Sequence, residues 1–224
     1  MATMRLYFTR NDPEHTILMS ANGTIHYQVE TVKPAVFSTP TLCISRPPGV
    51  GIDGDTFVAE VQWRRGVHHP VVRSHIFDGT EFIEIEVRDF LFKIGRHRSH
   101  LRGDGGKADH GGPSTRYFLG NDDEEYMWKP VKGVGYVLLH CKTRREIARP
   151  VQEMVTEGFF KGQKKYCLAI EPTTLDIDVI VVSFLIMEKR RRDRVTAESM
   201  KMRHLDEDAA AEGGCEAEMT GALQ

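Results

Sequence analysis

The chain has 224 residues, 40% of them hydrophobic and 28% charged, with 20 Gly and 10 Pro. That length suits one large domain with tails better than two cores, and the composition excludes a fibrous or collagen-like protein. Lys and Arg number 30 against 32 Asp and Glu, so the formal net charge of -2 offers no whole-chain case for nucleic-acid binding.

The amino terminus, MATMRLYFTR, puts polar and charged residues where a secretory leader needs an apolar run, which predicts an intracellular, cytoplasmic protein. Asn22-Gly23-Thr24 then reads as a turn. It joins the apolar run Ile17 to Met19 to a strand from Thr24 to Thr31, where Ile25, Tyr27 and Val29 alternate with His26, Gln28 and Glu30. A strand follows at Thr41 to Arg46. From Thr56 to Arg64 the alternation returns, with Phe57, Ala59, Val61 and Trp63 facing in. Strands are predicted next at Val71 to Phe77, and with Ile83, Ile85 and Val87 facing in. Residues 95–116 hold six glycines in 22 positions and predict a mobile insertion. Further strands are expected at Arg116 to Leu119, Tyr126 to Lys129, Tyr136 to Cys141, Glu146 to Arg149 and Lys165 to Ile170. Short strands with no helices interleaved argue for an antiparallel barrel or sandwich.

Leu175 to Arg192 breaks the pattern. Between Ile177 and Met187 only Asp178 and Ser183 are polar, so a helix here has no solvent face and must be buried on every side. Thr173 or Thr174 can cap its start and Lys189 to Arg192 suit its negative end, signals that favour helix over the strand to which the β-branched run Val179 to Val182 points. The apolar stretch of 11 residues gives about 16 Å of helix, too short for a hydrocarbon core of about 30 Å. Its inward residues include Ile177, Val181, Phe184 and Leu185. From Val195 onward two cations stand against seven carboxylates, leaving a mildly basic body and an acidic tail expected to be disordered, or helical only near its start.

One set of short blocks resembles an uncharacterised fungal domain family of the Tubby carboxyl-terminal-like superfamily, which also holds phospholipid scramblase and LURP-one-related domains. The blocks are Asn11-Asp12-Pro13, Val29-Glu30-Thr31, Ala59-Glu60-Val61-Gln62-Trp63, Tyr117-Phe118 with Gly120, Glu125-Tyr126 with Trp128-Lys129, and Leu175-Asp176-Ile177 through Met187-Glu188-Lys189-Arg190. The resemblance covers roughly residues 5–192 and implies a closed antiparallel β-barrel around one buried hydrophobic helix: an all-β domain over 1–194, with the tail at 195–224. It carries no binding residue across.

Catalytic and metal motifs are weak. Cys43, Cys141, Cys167 and Cys215 form no CxxC pair, which speaks against a zinc site or a disulfide framework. His97, His100 and His110 share the glycine-rich insertion, and His68 and His69 adjoin Pro70. Solvated histidines explain both groups, so no metal is expected. No GxSxG elbow is present. Pro48 to Asp55 lacks the GK[ST] ending of a phosphate loop, and Asn121 to Glu125 reads as a solvated hairpin tip.

Basic groups are more suggestive. Arg144 and Arg145 fall in a turn, Lys161, Lys164 and Lys165 precede a strand, and Glu188 to Arg194 could serve nuclear import. Each Lys or Arg near an anionic membrane is worth about 1 kcal/mol, so four or five converging cations would recruit a soluble domain. The expectation is a non-enzymatic domain without a cofactor that binds anionic phospholipids or phosphoinositides, held at the membrane periphery or imported to the nucleus. The alternative is a protein-interaction adaptor using the insertion and tail.

Overall fold

The computed structural model describes residues 2–33, 39–48, 57–64, 69–77, 81–93 and 114–214, with side chains to residue 200. His68, His97, His100, His110, nearly all of the 95–116 insertion and most of Pro48 to Asp55 lie outside the described residues. Chain contacts divide it into two units, Met1–Met187 and Glu188–Gln224.

The first unit is mostly β. Its strands are β1 (Met4–Phe8), β2 (His15–Met19), β3 (Ile25–Val32), β4 (Thr41–Ser45), β5 (Phe57–Gln62), β6 (Val71–Ser74), β7 (Ile83–Glu86), β8 (Arg116–Leu119), β9 (Glu125–Val131), β10 (Gly135–His140), β11 (Glu146–Met154) and β12 (Lys164–Ile170). They form one 12-stranded sheet in the order β7-β6-β5-β4-β3-β2-β1-β12-β11-β10-β9-β8, all pairs antiparallel. Two meanders are thus joined where β1 meets β12, with Met4 opposite Ile170 and Tyr7 opposite Cys167.

Alternation sorts the two faces. Leu6 and Phe8, Tyr27 and Val29, Leu42 and Ile44, and Leu168 and Ile170 all enter one buried cluster. Helix α2 (Ile177–Gly214) starts in that cluster. Every residue from Val179 to Met187 is buried, with Val181, Phe184 and Leu185 at 0% exposure and Ile177 half-buried against them. Burying such side chains is worth about 1.5–3 kcal/mol each. The Phe184 ring lies 5.7 Å from Trp128 and 6.1 Å from Phe8. Ser183, the polar exception, is satisfied: its Oγ accepts from Trp128 Nε1 at 3.0 Å and donates to the Ile180 carbonyl at 3.1 Å.

Several expectations need correction. Closure of the sheet into a barrel is not detected: among the described residues no strand ladder joins β7 to β8. The chain leaves β7 when the Val87 amide bonds the Pro70 carbonyl, and coils into a short helix α1 (Val87–Phe90). Beyond it Phe92 and Tyr117 form an isolated antiparallel bridge, with both hydrogen bonds at 2.9 Å. Residues His75–Phe77 are a 3-10 turn, not strand. A bulge between Ile44 and Ser45 breaks the alternation at Phe57, which is half-buried beside Phe82. β11 runs through Pro150 because pairing with β12 carries it to Met154. In the second unit α2 continues through residues 195–214, rich in the good helix formers Ala, Glu and Met. Within it Glu188 accepts from Arg191 and Arg192 at 2.7 and 2.8 Å. Among the described residues no helix is long and apolar enough to cross a membrane.

Candidate functional site

The acidic β8–β9 turn is more than a solvated tip. Asn121 Oδ1 accepts the Asp176 amide at 2.8 Å, and Asp122 accepts the hydroxyls of Thr174 and Tyr126, each at 2.7 Å. Asp176 Oδ1 caps the Asp178 amide at 2.9 Å. Asp178 in turn accepts from Tyr27 Oη and Arg46 Nη2, both at 2.6 Å. The turn therefore fixes where the core helix enters. It leaves no spare room: a Cβ on Gly120 would lie 2.6 Å from Asp122, 2.7 Å from Leu175 and 2.8 Å from Tyr126.

This anchor is pH-sensitive. Burial raises the Tyr126 hydroxyl, with help from Asp122, to about 12. Burial works against the Asp122 carboxylate, but hydrogen bonds from Thr174 and Tyr126 outweigh it and hold the group below its ordinary 3.8. Because the folded value is the lower one, the unfolded chain takes up the proton first. The contribution is present above 3.8 and lost as pH falls through the folded value. Thermal melts across the acid range are expected to show a shallower acid limb in Asp122→Asn than in the parent. Identical limbs would mean that the contact adds no net stability.

The five cations singled out in the sequence do not converge. Arg144 and Arg145 sit in the β10–β11 turn, where Arg144 Nη1 faces Met127 Sδ at 3.5 Å and Arg145 Nη2 donates to the Pro172 carbonyl. Lys161, Lys164 and Lys165 belong to the β11–β12 hairpin, whose strands end with Met154 opposite Lys164. The whole of β11 separates the groups, about 30 Å at about 3.3 Å per residue.

The β11–β12 loop is built, not loose. Val155 bonds back to Gln163 at 3.0 Å and Gly162 to Val155 at 2.8 Å. Gly158 and Gly162 have φ of 79° and 78°, conformations that favour glycine. The Phe159 amide reaches the Ala21 carbonyl of the β2–β3 turn at 2.7 Å. Phe160 turns inward onto a small outer-face cluster with Tyr7, Met19, Val155 and Cys167. Lys165 Nζ lies 4.6 Å over its ring and donates to the Thr9 carbonyl at 3.3 Å. Phe159 turns outward at 67% exposure, near Met154 at 60%. Lys161 and Lys164 are exposed beside them and make no ion pair among the described residues.

Beside this loop, on the outer face of β1 and β11, lies an open cleft of about 750 Å³. Its floor is a polar knot. Glu153 Oε1 accepts from Tyr7 Oη at 2.7 Å and weakly from Cys167 Sγ at 3.9 Å, and forms an ion pair with Arg5 Nε at 3.1 Å. Burial and Glu153 push the Tyr7 phenol up and the Cys167 thiol to about 12, so the sulfur is a neutral thiol and no nucleophile at neutral pH. Burial and the Arg46 charge lower His26, which stays neutral and bonds Ser20 Oγ at 3.1 Å. A second hollow of about 660 Å³ lies by the Phe92–Tyr117 pair, lined by His75, Phe77, Leu119 and Asp123 among others. Sequence reasoning missed the first cleft because β1 was not named. The signal was present in Arg5 and Tyr7 pointing out while Leu6 and Phe8 point in.

The fold defines a mostly β domain whose antiparallel sheet packs around the first turns of a carboxyl-terminal helix, Val179 to Met187. The chain belongs to a family of unknown function, DUF6593, whose model matches residues 11–193. Among solved structures it is similar to the X-ray structure of an Arabidopsis thaliana protein, AT5G01750, at 10% identity and a TM-score of 0.38, covering 84% of this chain and 91% of that one. No curated protein matches it.

Proposed function

We propose that this domain is a non-enzymatic module that docks reversibly on anionic phospholipid surfaces, phosphoinositides included, through the β11–β12 loop. The observation carrying this reading is the exposure of Phe159 and Met154 beside the unpaired Lys161 and Lys164. Cations at about 1 kcal/mol each supply attraction to the headgroups, and an inserted aromatic adds up to about 1.5–3 kcal/mol. Together these give only a few kcal/mol, suited to transient recruitment. Backbone hydrogen bonds already hold the loop in place, so little conformational freedom is lost on docking. The reading also takes the sheet as a Tubby-like barrel, its edges drawn together by the Phe92–Tyr117 pair.

Co-sedimentation with neutral and with phosphoinositide-containing vesicles, at low and physiological salt, tests it. Binding is expected only to the anionic vesicles and weaker at higher salt. Lys161→Glu/Lys164→Glu and Phe159→Asp should each lose most of it, while Arg144→Glu/Arg145→Glu, at the far end of β11, should keep it. Failure to bind anionic vesicles at low salt, or equal loss in the arginine pair, would reject the loop as the docking element.

A further inference from the structure

We infer that the outer cleft is a binding site for a primary organic ammonium group, the chemistry shared by amine-bearing phospholipid headgroups and free amines. Four parts of the fold converge there: β1 through Arg5 and Tyr7, the β2–β3 turn and the start of β3 through Ser20 and His26, β11 through Glu153, and the loop through Glu157. The volume, about 750 Å³, lies in the range of small-ligand sites.

Charge selects the ligand. Arg5, Glu153 and Glu157 are the ionised groups of the lining, since His26 is neutral, and they sum to one negative charge. Arg5 is already turned onto Glu153. Both hydrogen-bond donors on Glu153 go to Oε1, and Oε2 accepts no hydrogen bond among the described residues. With 28% of its side chain exposed, Glu153 can still be reached from the cleft. Glu157, in the loop, is exposed and forms no ion pair among the described residues. Lys165, which pairs across the strand with Glu153, is turned away to Thr9 and Phe160. The cleft therefore offers carboxylate oxygens to N–H donors without a competing lysine.

A quaternary ammonium would find less. The Tyr7 ring packs against Phe160 at 5.9 Å and is not presented as a free face for a cation–π contact. Met4, Met154 and Val155 supply an apolar wall for the hydrocarbon part of the amine. This inference is independent of membrane docking, because soluble amines test it without vesicles.

The test is a titration of the full-length ¹⁵N-labelled protein with ethanolamine and with spermidine, using tetramethylammonium at equal ionic strength as control. Saturable shifts are expected on amides of Thr3 to Tyr7, Ser20 to His26 and Glu153 to Glu157 with the two amines only. Glu157→Gln, outside the Tyr7–Arg5 knot, should weaken binding about tenfold, and Glu153→Gln at least as much. Phe159→Ser, which adds no charge, should leave saturable binding of the two amines in place. Equal shifts with tetramethylammonium, no saturation, or parental affinity in both glutamine variants would overturn the inference. If phosphatidylethanolamine replacing phosphatidylcholine at fixed anionic content strengthens vesicle binding in the parent but not in Glu157→Gln, the source is a lipid headgroup. Amine binding without that gain assigns a free amine.

Discussion

Val181→Asp is expected to leave the protein without a cooperative melt. Val181 has no exposed surface, and its neighbours Ile180 and Val182 are equally buried, so the carboxylate would have no water and no partner. An unpaired buried charge costs several kcal/mol, a large share of the 5–15 kcal/mol, roughly, that holds a domain together. Shifting its pKa to stay neutral only exchanges a charge for an unsatisfied hydroxyl. Phe184→Asp should behave alike, because its ring contacts with Phe8 and Trp128 close the same core. Phe184→Ala provides the graded comparison: a cavity cost of about 3–5 kcal/mol, with a cooperative but lowered transition. Circular dichroism melts decide. A soluble Val181→Asp protein melting near the parent temperature would mean that α2 does not fill the core.

Gly158→Ala is expected to free the β11–β12 loop from the sheet. Its φ of 79° costs a side-chain-bearing residue about 1–2 kcal/mol, and a Cβ there would collide with the backbone carbonyl of Ala21, which cannot turn aside. The Phe159–Ala21 hydrogen bond at 2.7 Å is lost with it, for a total of about 2–4 kcal/mol confined to the loop. Hydrogen exchange should accelerate at Phe159 to Gln163 while the amides of Val179 to Met187 stay protected. Vesicle binding should fall too, since a loosened loop must be ordered again on docking. Unchanged exchange in the loop would sink this account.

The core helix was legible in the sequence because apolar residues on all sides of a helix leave no reading but burial, and Thr173 to Asp178 signals its start. Strands with strict alternation, such as Ile25 to Val29, were equally plain. β1 was obscured because Tyr7 counts as apolar yet faces outward over the cleft. Helix α1, four residues long, went unread because it is too short to show a helical period. The cations could not be grouped without register: Arg145 and Lys164 stand 19 positions apart in sequence, but a strand places them at opposite ends, whereas folding back places Lys161 and Lys164 beside Met154. Nothing in the doublet Phe159-Phe160 said which ring would enter the outer cluster and which would meet water.

The pairing of β1 with β12 also orders events in time. Met4 cannot meet Ile170 until nearly the whole unit has been made, and the helix that fills the core leaves the ribosome after every strand. At roughly 5–20 residues per second the nascent sheet spends many seconds with its apolar inner face unfilled. Such distant contacts also slow folding, toward the millisecond-to-second range. The domain is thus most exposed to aggregation just before it is finished, and a chain truncated ahead of Leu175 would hold all twelve strands and still lack what they fold around.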